Sequence, residues 1–366
     1  MKKNHLLMAV LLAVVLVAAL PVAASLQRAA APPAPTGSTE TATARAVTAA
    51  NVLLAALGEA ERAKALYSFD SPQRTNWSNL PSGIYQRNSL RLGDLTAAKQ
   101  ASALALLAAV LSRKGYQKVT DIMNGDEVLG STGGGRTGGR PGGAGPGGRG
   151  GPGGGIRFGL AEFYIAILGT PSTTTPWMIQ FGGHHLAINV TIVGRNNVLT
   201  PSLPAAQPAT YTLNGQSIRP LGQENDKGFA LVNALDASQR AQAILNYRVT
   251  DLVLGPGQDG RVIQPEGILA SALNAAQRSM LLDVVHEWVG ILNDDAAAAT
   301  MTEITANLPR TYFAWSGPTT NGSVAYFRVQ GPTLLIEYAP QQGDLDHIHT
   351  IYRDPTNDYG AKLVAR

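Results

Sequence analysis

The sequence predicts an α+β fold, an antiparallel sheet with several packed helices, and three observations carry that reading. Apolar stretches with helix-start signals are mixed with runs of β-branched and aromatic residues. The last four strand-like runs follow one another across Gly-Pro and Gly-Asp turn signals, which is the pattern of an antiparallel meander. Helices mixed with such a meander point to α+β rather than to a doubly wound sheet.

In chain order, Lys2 and Lys3 precede an apolar run from Leu6 to Leu20 and then Pro21-Val22-Ala23-Ala24-Ser25, the layout of a secretory signal cut after Ala24. The apolar run of about 15 residues falls short of the roughly 20 that a spanning helix needs. The expectation is a secreted or periplasmic protein with no stable membrane insertion after cleavage; an uncleaved anchor is the alternative. Residues 25–47, rich in Ala, Pro, Thr and Ser, read as a flexible spacer, and 48–366 as a single α+β domain. Within it, residues 130–155 are nearly all Gly, Pro and Arg, a low-complexity insertion with no phosphate-binding pattern.

Helix starts are expected at Leu95-Thr96, Leu235-Asp236 and Leu273-Asn274, where the polar residue can cap and the preceding Leu can staple. The first of these helices is apolar from Ala103 to Leu111 and is expected to end at Gly115. Others are expected from Gln277 to Leu292 and from Ala296 to Leu308, with Glu224 in a helical first turn. Strands are expected from Ala161 to Leu168, Trp177 to Val193, Thr311 to Ser316, Ser323 to Gln330, Thr333 to Tyr338 and His347 to Arg353.

The formal net charge is +4. Lys2 and Lys3 and three arginines of the glycine tract account for more than that, so the remainder is near neutral and carries no nucleic-acid footprint. With no cysteine, the chain has neither disulfides nor thiolate ligands, and any transition metal must be held by His, carboxylate, amide or Tyr groups. Gly-x-Ser-x-Gly and dinucleotide fingerprints are both missing, which removes the common serine hydrolase and nicotinamide enzyme classes.

Of six histidines, four form two tight pairs, His184-His185 and His347-Ile348-His349, each in a strand-like stretch. Imidazole is the commonest transition-metal ligand, and a His-x-His pair on a strand turns both rings to one face. Alternation places His184, Leu186, Ile188 and Val190 on one face of the first strand and His185, Ala187, Asn189 and Thr191 on the other; His184 is kept as a further ligand because Gly182-Gly183 can re-aim both rings. Glu337, a carboxylate in the apolar run Leu334-Leu335-Ile336, is costly to bury unless paired or metal-bound. The expected metal ligands are therefore His185, His347, His349 and Glu337, with His184, around one Zn, Fe, Mn or Cu ion. Asp354 is expected to orient an imidazole and Arg353 to bind an anionic group, while Asn189, Gln180, Trp177 and Arg74 are candidates for the substrate cleft. A polar His network within the sheet is the competing structural reading. His286 lacks a partner one turn on and reads as a satisfied, partly buried side chain.

Arg74-Thr75-Asn76-Trp77, Phe163 to Pro171, Pro176-Trp177 with Gln180 to His185, Tyr326-Phe327-Arg328 through Ile336-Glu337-Tyr338, His347 to Pro355 and Asn357 to Gly360 together resemble domain-of-unknown-function family 3500. The resemblance runs from about Thr48 to the end of the sequence and implies a grouping but no activity. The residues themselves point to a metal-dependent enzyme acting on a small-molecule or extracellular substrate, hydrolysis slightly favoured over oxidoreduction. A non-catalytic extracellular protein that binds a metal or small ligand is the alternative.

Overall fold

The computed structural model describes residues 41–132 and 155–364. The expected signal peptide, most of the spacer and most of the glycine tract lie outside them. Helices among the described residues are α1 (Ala42–Ala56), α2 (Glu59–Ala65), α3 (Ala97–Val110), α4 (Arg113–Ser131), α5 (Gly222–Ala234), α6 (Ala237–Ala243), α7 (Ala275–Val289), α8 (Asp294–Asn307) and α9 (Ala361–Val364). Strands among the described residues begin with β1 (Leu66–Tyr67), β2 (Leu90–Arg91), β3 (Tyr164–Leu168), β4 (Trp177–Gly183), β5 (Leu186–Val193), β6 (Asn196–Val198) and β7 (Leu203–Pro204). They continue as β8 (Tyr211–Leu213), β9 (Gln216–Ile218), β10 (Ile268–Leu269), β11 (Tyr312–Ser316), β12 (Tyr326–Gly331), β13 (Leu334–Pro340) and β14 (Ile348–Arg353).

Local chemistry explains the helix boundaries. Asp236 and Asn274 cap their helices as expected, and each completes a capping box with Gln239 or Gln277, each side chain bonding the other's backbone. Thr96 makes no side-chain cap bond. The first helix stops at Val110 rather than at Gly115, because Ser112 caps a new helix by accepting from the Gly115 amide. Gly115 is needed there for close approach: a Cβ would lie 2.1 Å from the Ile291 carbonyl oxygen. Helix α1 starts inside the expected spacer, capped by Thr41, since Ala46, Ala50 and Leu53 share a buried face. Glu224 does sit in the first turn of α5, but it is fully buried and pairs with Lys118 of α4. No helix among the described residues is long and apolar enough to cross a membrane.

β11 to β14 form the expected antiparallel meander, each strand pairing with the next, and the unpredicted β10 adds to its β11 edge. A second sheet runs β1-β3-β4-β5-β6, with β2 on β3 and β7 on β5. The two are joined by the segment 202–206, which pairs on one side with β5 (Leu203 with Ala187, Pro204 with Leu186) and on the other with β14. Its bonds to β14 include Ser202 N to Tyr352 O at 2.9 Å and Ala206 N to Ile348 O at 2.9 Å. The result is one continuous sheet with a seam between β5 and β14.

Both faces of this sheet are buried, but by different material. Leu186, Ile188, Val190, Ile348 and Tyr352 belong to the main core, which also holds Leu106, Leu107, Leu231, Val284 and Trp288 of the helices. Ala166, Met178, Ala187, Leu335 and Ile351 face a smaller core closed by loop residues Trp77, Leu254 and Tyr359. β14 alternates as a strand should: Ile348 and Tyr352 face the helices, and Ile351 faces the loops.

One buried carboxylate gives the fold a pH dependence. Glu162, 3% exposed, accepts hydrogen bonds from Arg91 (2.6 Å), Arg157 (3.1 Å) and Tyr164 (3.3 Å). Burial pushes its pKa up, but the bonds from Arg91, Ser82 and Arg157 outweigh it and hold the group at about 2. Because the folded value lies below the unfolded one, the stabilisation is present above about pH 4.5 and is lost as pH falls towards 2. Glu162→Gln should lower stability to urea at pH 7 by about 2 kcal/mol, discounted for the solvent reaching both arginines, and should flatten the acid loss in that window.

Candidate metal centre

The His184-His185 pair does not lie within a strand as the sequence predicts. β4 and β5 form a hairpin whose last ladder pair is Gly183 with Leu186, so the two histidines are its turn. His185 takes φ 59, a left-handed conformation that few residues other than glycine adopt and that costs of order 1 kcal/mol unless held. It is held by its own backbone: its N–H donates to the Asn79 carbonyl at 3.0 Å and its carbonyl accepts from Ala205 N at 2.9 Å. Gly183 lets the turn sit tightly, since a Cβ there would meet the Phe163 ring at 2.7 Å.

The seam then determines what the turn meets. Segment 202–206 is bonded both to His185 and to β14, so the hairpin tip lies against the start of β14. His185 Nε2 is 2.8 Å from His347 Nε2, which is 3.1 Å from His349 Nε2. One ligand atom from each of the three rings falls within 4.8 Å of the others, a group that could hold a metal ion. Two of these spacings approach the edge of about 3.3 Å between nitrogens on a tetrahedral ion bonded at about 2.0–2.1 Å. His185 and His349 are buried, and His347 is half-buried.

The electrostatics suit ligands. Burial, and then the neighbouring imidazoles, push His185 well below the ordinary histidine range. The same two causes push His347 down to about 4. Both shifts favour the neutral imidazole, the form from which a ring nitrogen can bind a metal. His349 Nδ1 donates to Asp251 Oδ1 at 2.9 Å, which leaves Nε2 as its acceptor nitrogen. Against the upward push of burial, the His349 ring and the Leu252 amide hold the Asp251 carboxyl below its usual range. Asn79 Nδ2 lies 3.3 Å from His349 Nε2. His184 stays outside the three-ring group: its Nδ1 bonds Asp126 Oδ1 at 2.6 Å, and its ring lies against His185 with centroids 3.6 Å apart.

The other sequence-predicted residues go elsewhere. Glu337 is fully buried, and its carboxylate accepts from Val253 N (3.0 Å), Leu254 N (2.8 Å) and Tyr326 OH (2.6 Å). Arg353 donates to the carbonyls of Leu254 and Gly255 and pairs with Asp259 and Asp358. The two side chains thus clamp the backbone just after Asp251 from both its amide and its carbonyl sides. Asp354 accepts from Thr356 in a local turn, so the orienting carboxylate is Asp251 instead. Gln180 bonds Gln73 and Asn189, Asn189 bonds Pro201, Trp177 is core with its indole nitrogen on Ser172, and Arg74 lies over the Phe69 ring. His286 is exposed rather than partly buried. Asn79, Asp126 and Asp251 were not legible as site residues: each is far in sequence from the histidine it touches.

No curated protein and no solved structure matches the chain. Residues 39–361, which contain the three imidazoles and both Asn79 and Asp251, match the family described as protein of unknown function (DUF3500), and the chain belongs to that family.

Proposed function

We propose that this protein is an exported metal-dependent enzyme in which His185, His347 and His349 hold one transition-metal ion and leave a coordination position for substrate. The observation that supports this is the donor count. Three imidazole nitrogens converge, while the nearby carboxylates are committed elsewhere, Asp251 to His349 and Glu337 to the 253–254 backbone. Three protein ligands are what catalytic zinc sites keep, whereas structural sites fill all four positions. The all-nitrogen set favours Zn or Cu over Mn, and the missing carboxylate ligand sets it apart from the two-His, one-carboxylate iron oxygenase pattern. Hydrolysis of a small extracellular substrate is therefore the favoured chemistry.

A bound ion would supply Lewis acidity towards a carbonyl or phosphoryl oxygen. The chain's own groups do the rest: Asp251 fixes the His349 tautomer, Asn79 offers an amide beside that ring, and half-buried His347 marks the open side. The second reading, a non-catalytic metal-binding protein, draws on the depth of His185 and His349, only 2% and 5% exposed.

Elemental analysis by plasma mass spectrometry, with reconstitution in Zn, Fe, Mn and Cu, tests the site, and an ester, amide and phosphoester panel tests the chemistry. Near-stoichiometric metal with chelator-sensitive turnover is the expected result. Metal without turnover favours the second reading, and protein that takes up no metal overturns both.

A further inference from the structure

We propose that the cavity between α8 and the end of β14 is a calcium site. Its volume is about 50 Å³, room for an ion and its water rather than for an organic body, and its polar lining includes Asn197, Thr200, Glu303, Tyr352, Asp354 and Asn357. No lysine, arginine or histidine lines it. It shares no residue with the imidazole group, so it stands apart from the reading of that centre.

Separate stretches of chain bring oxygen to this cavity. Thr300 and Glu303 lie three residues apart on one face of α8. Asn197 comes from β6 and Thr200 from the loop behind it, while Tyr352 comes from β14 and the turn that follows supplies Asp354 and Asn357.

The charge is one-sided. Asp354 is 8% exposed, and although Thr356 bonds one of its oxygens, no cation pairs with it among the described residues. Glu303 forms no ion pair among them either, whereas the neighbouring Asp358 has Arg353. Lys362 lies near enough to favour the Asp354 charge but makes no ion pair with it. Burial pushes the Asp354 carboxyl above its usual range against the bonds from Thr356, and the Glu303 charge adds to the push. Two carboxylates that repel one another across an oxygen-lined cavity gain from a cation between them.

Two nearly buried polar side chains independently point to a ligand there. Tyr352, 4% exposed, has its ring in the main core, and its hydroxyl makes no hydrogen bond among the described residues. That hydroxyl lies where the carboxylates are: after burial, the charges of Asp354, Asp358 and Glu303 push its pKa well up. Asn197, 9% exposed, has an amide oxygen with no partner. Such groups cost stability unless an ion or its water completes them.

The donor set selects the ion. Carboxylate, amide and hydroxyl oxygens without a nitrogen suit a hard cation. Donors gathered from separate stretches suit calcium, which takes about six to eight oxygens in flexible geometry, over magnesium, which demands a near-ideal octahedron. Bound there, calcium would tie α8 to the end of β14 where Tyr352 meets Ser202 of the seam.

Calorimetric titration of the whole protein with calcium chloride, paired with thermal melts, tests the site. The dissociation constant should be about 0.1–1 mM, the range of extracellular calcium modules, and about 10 mM calcium should raise the melting midpoint by about 3–5 °C. Magnesium should bind about tenfold more weakly. Glu303→Gln, at an exposed position where the fold is not at stake, should weaken calcium by about tenfold, and Asp354→Asn by at least as much. The His347→Ala, His349→Ala variant should bind calcium as the wild type does, since no imidazole lines the cavity. A melt that calcium does not move, magnesium binding as tight as calcium, binding that Glu303→Gln and Asp354→Asn both leave unchanged, or binding lost with the two histidines would overturn the proposal.

Discussion

Replacing His347 and His349 together by alanine is expected to reduce metal after reconstitution from about one ion per chain to about a tenth of that or less, because a lone imidazole cannot compete with water and buffer for the ion. The fold should survive. His347 is half-buried, and the carboxylate released from His349 belongs to Asp251, whose side chain is 38% exposed and can turn to water. The cost to the metal-free protein should be about 1–2 kcal/mol, mostly from the buried His349 contacts. The loaded wild type carries a further gain by mass action, about 4 kcal/mol when free metal is a thousand times its dissociation constant. Thermal melts should therefore separate widely with metal and nearly converge after chelation. A double variant that still retains a stoichiometric ion would mean the site lies elsewhere.

Glu337→Ala is expected to be among the most destabilising single substitutions in the protein, about 3–5 kcal/mol by urea denaturation. It would leave the Val253 and Leu254 amides and the Tyr326 hydroxyl without their acceptor in the smaller core, each costing about 1–3 kcal/mol if unpaired. Asp251→Asn supplies the contrast. It keeps the backbone clamp intact and should cost little stability, yet weaken metal binding by about tenfold to a hundredfold by disturbing the His349 tautomer. If Glu337→Ala lowered metal affinity at unchanged stability, Glu337 would be acting on the ion directly and not through the loop.

Much of this was legible in the chain. The meander is announced by its turns, and the helices by caps such as Asp236 and Asn274, because both signals are local chemistry. Residue type marked His185 and the His347-His349 pair as candidates, but the hairpin turn at His184-His185 and the seam that brings it to β14 were hidden. The turn's left-handed residue is a histidine where a turn signal would have been Asn-Gly or Asp-Gly, and the Gly182-Gly183 pair lies in β4. Glu337 shows how a sound physical premise reaches the wrong partner. A carboxylate in an apolar strand does need compensation, but backbone amides supply it as well as a metal would, and amides leave no mark in sequence. Asp251 and Asn79 were beyond reach because each meets its histidine only through loops whose paths are set by tertiary packing.

The seam at 202–206 also sets a condition. The meeting of His185 with the His347-His349 pair depends on that segment's bonds to the hairpin on one side and to β14 on the other, and Asn79 and Asp251 come from two further stretches. No contiguous fragment carries the complete donor set. Capture of an ion by this group would therefore depend on closure of the sheet, and loading would report that the last strand is in place.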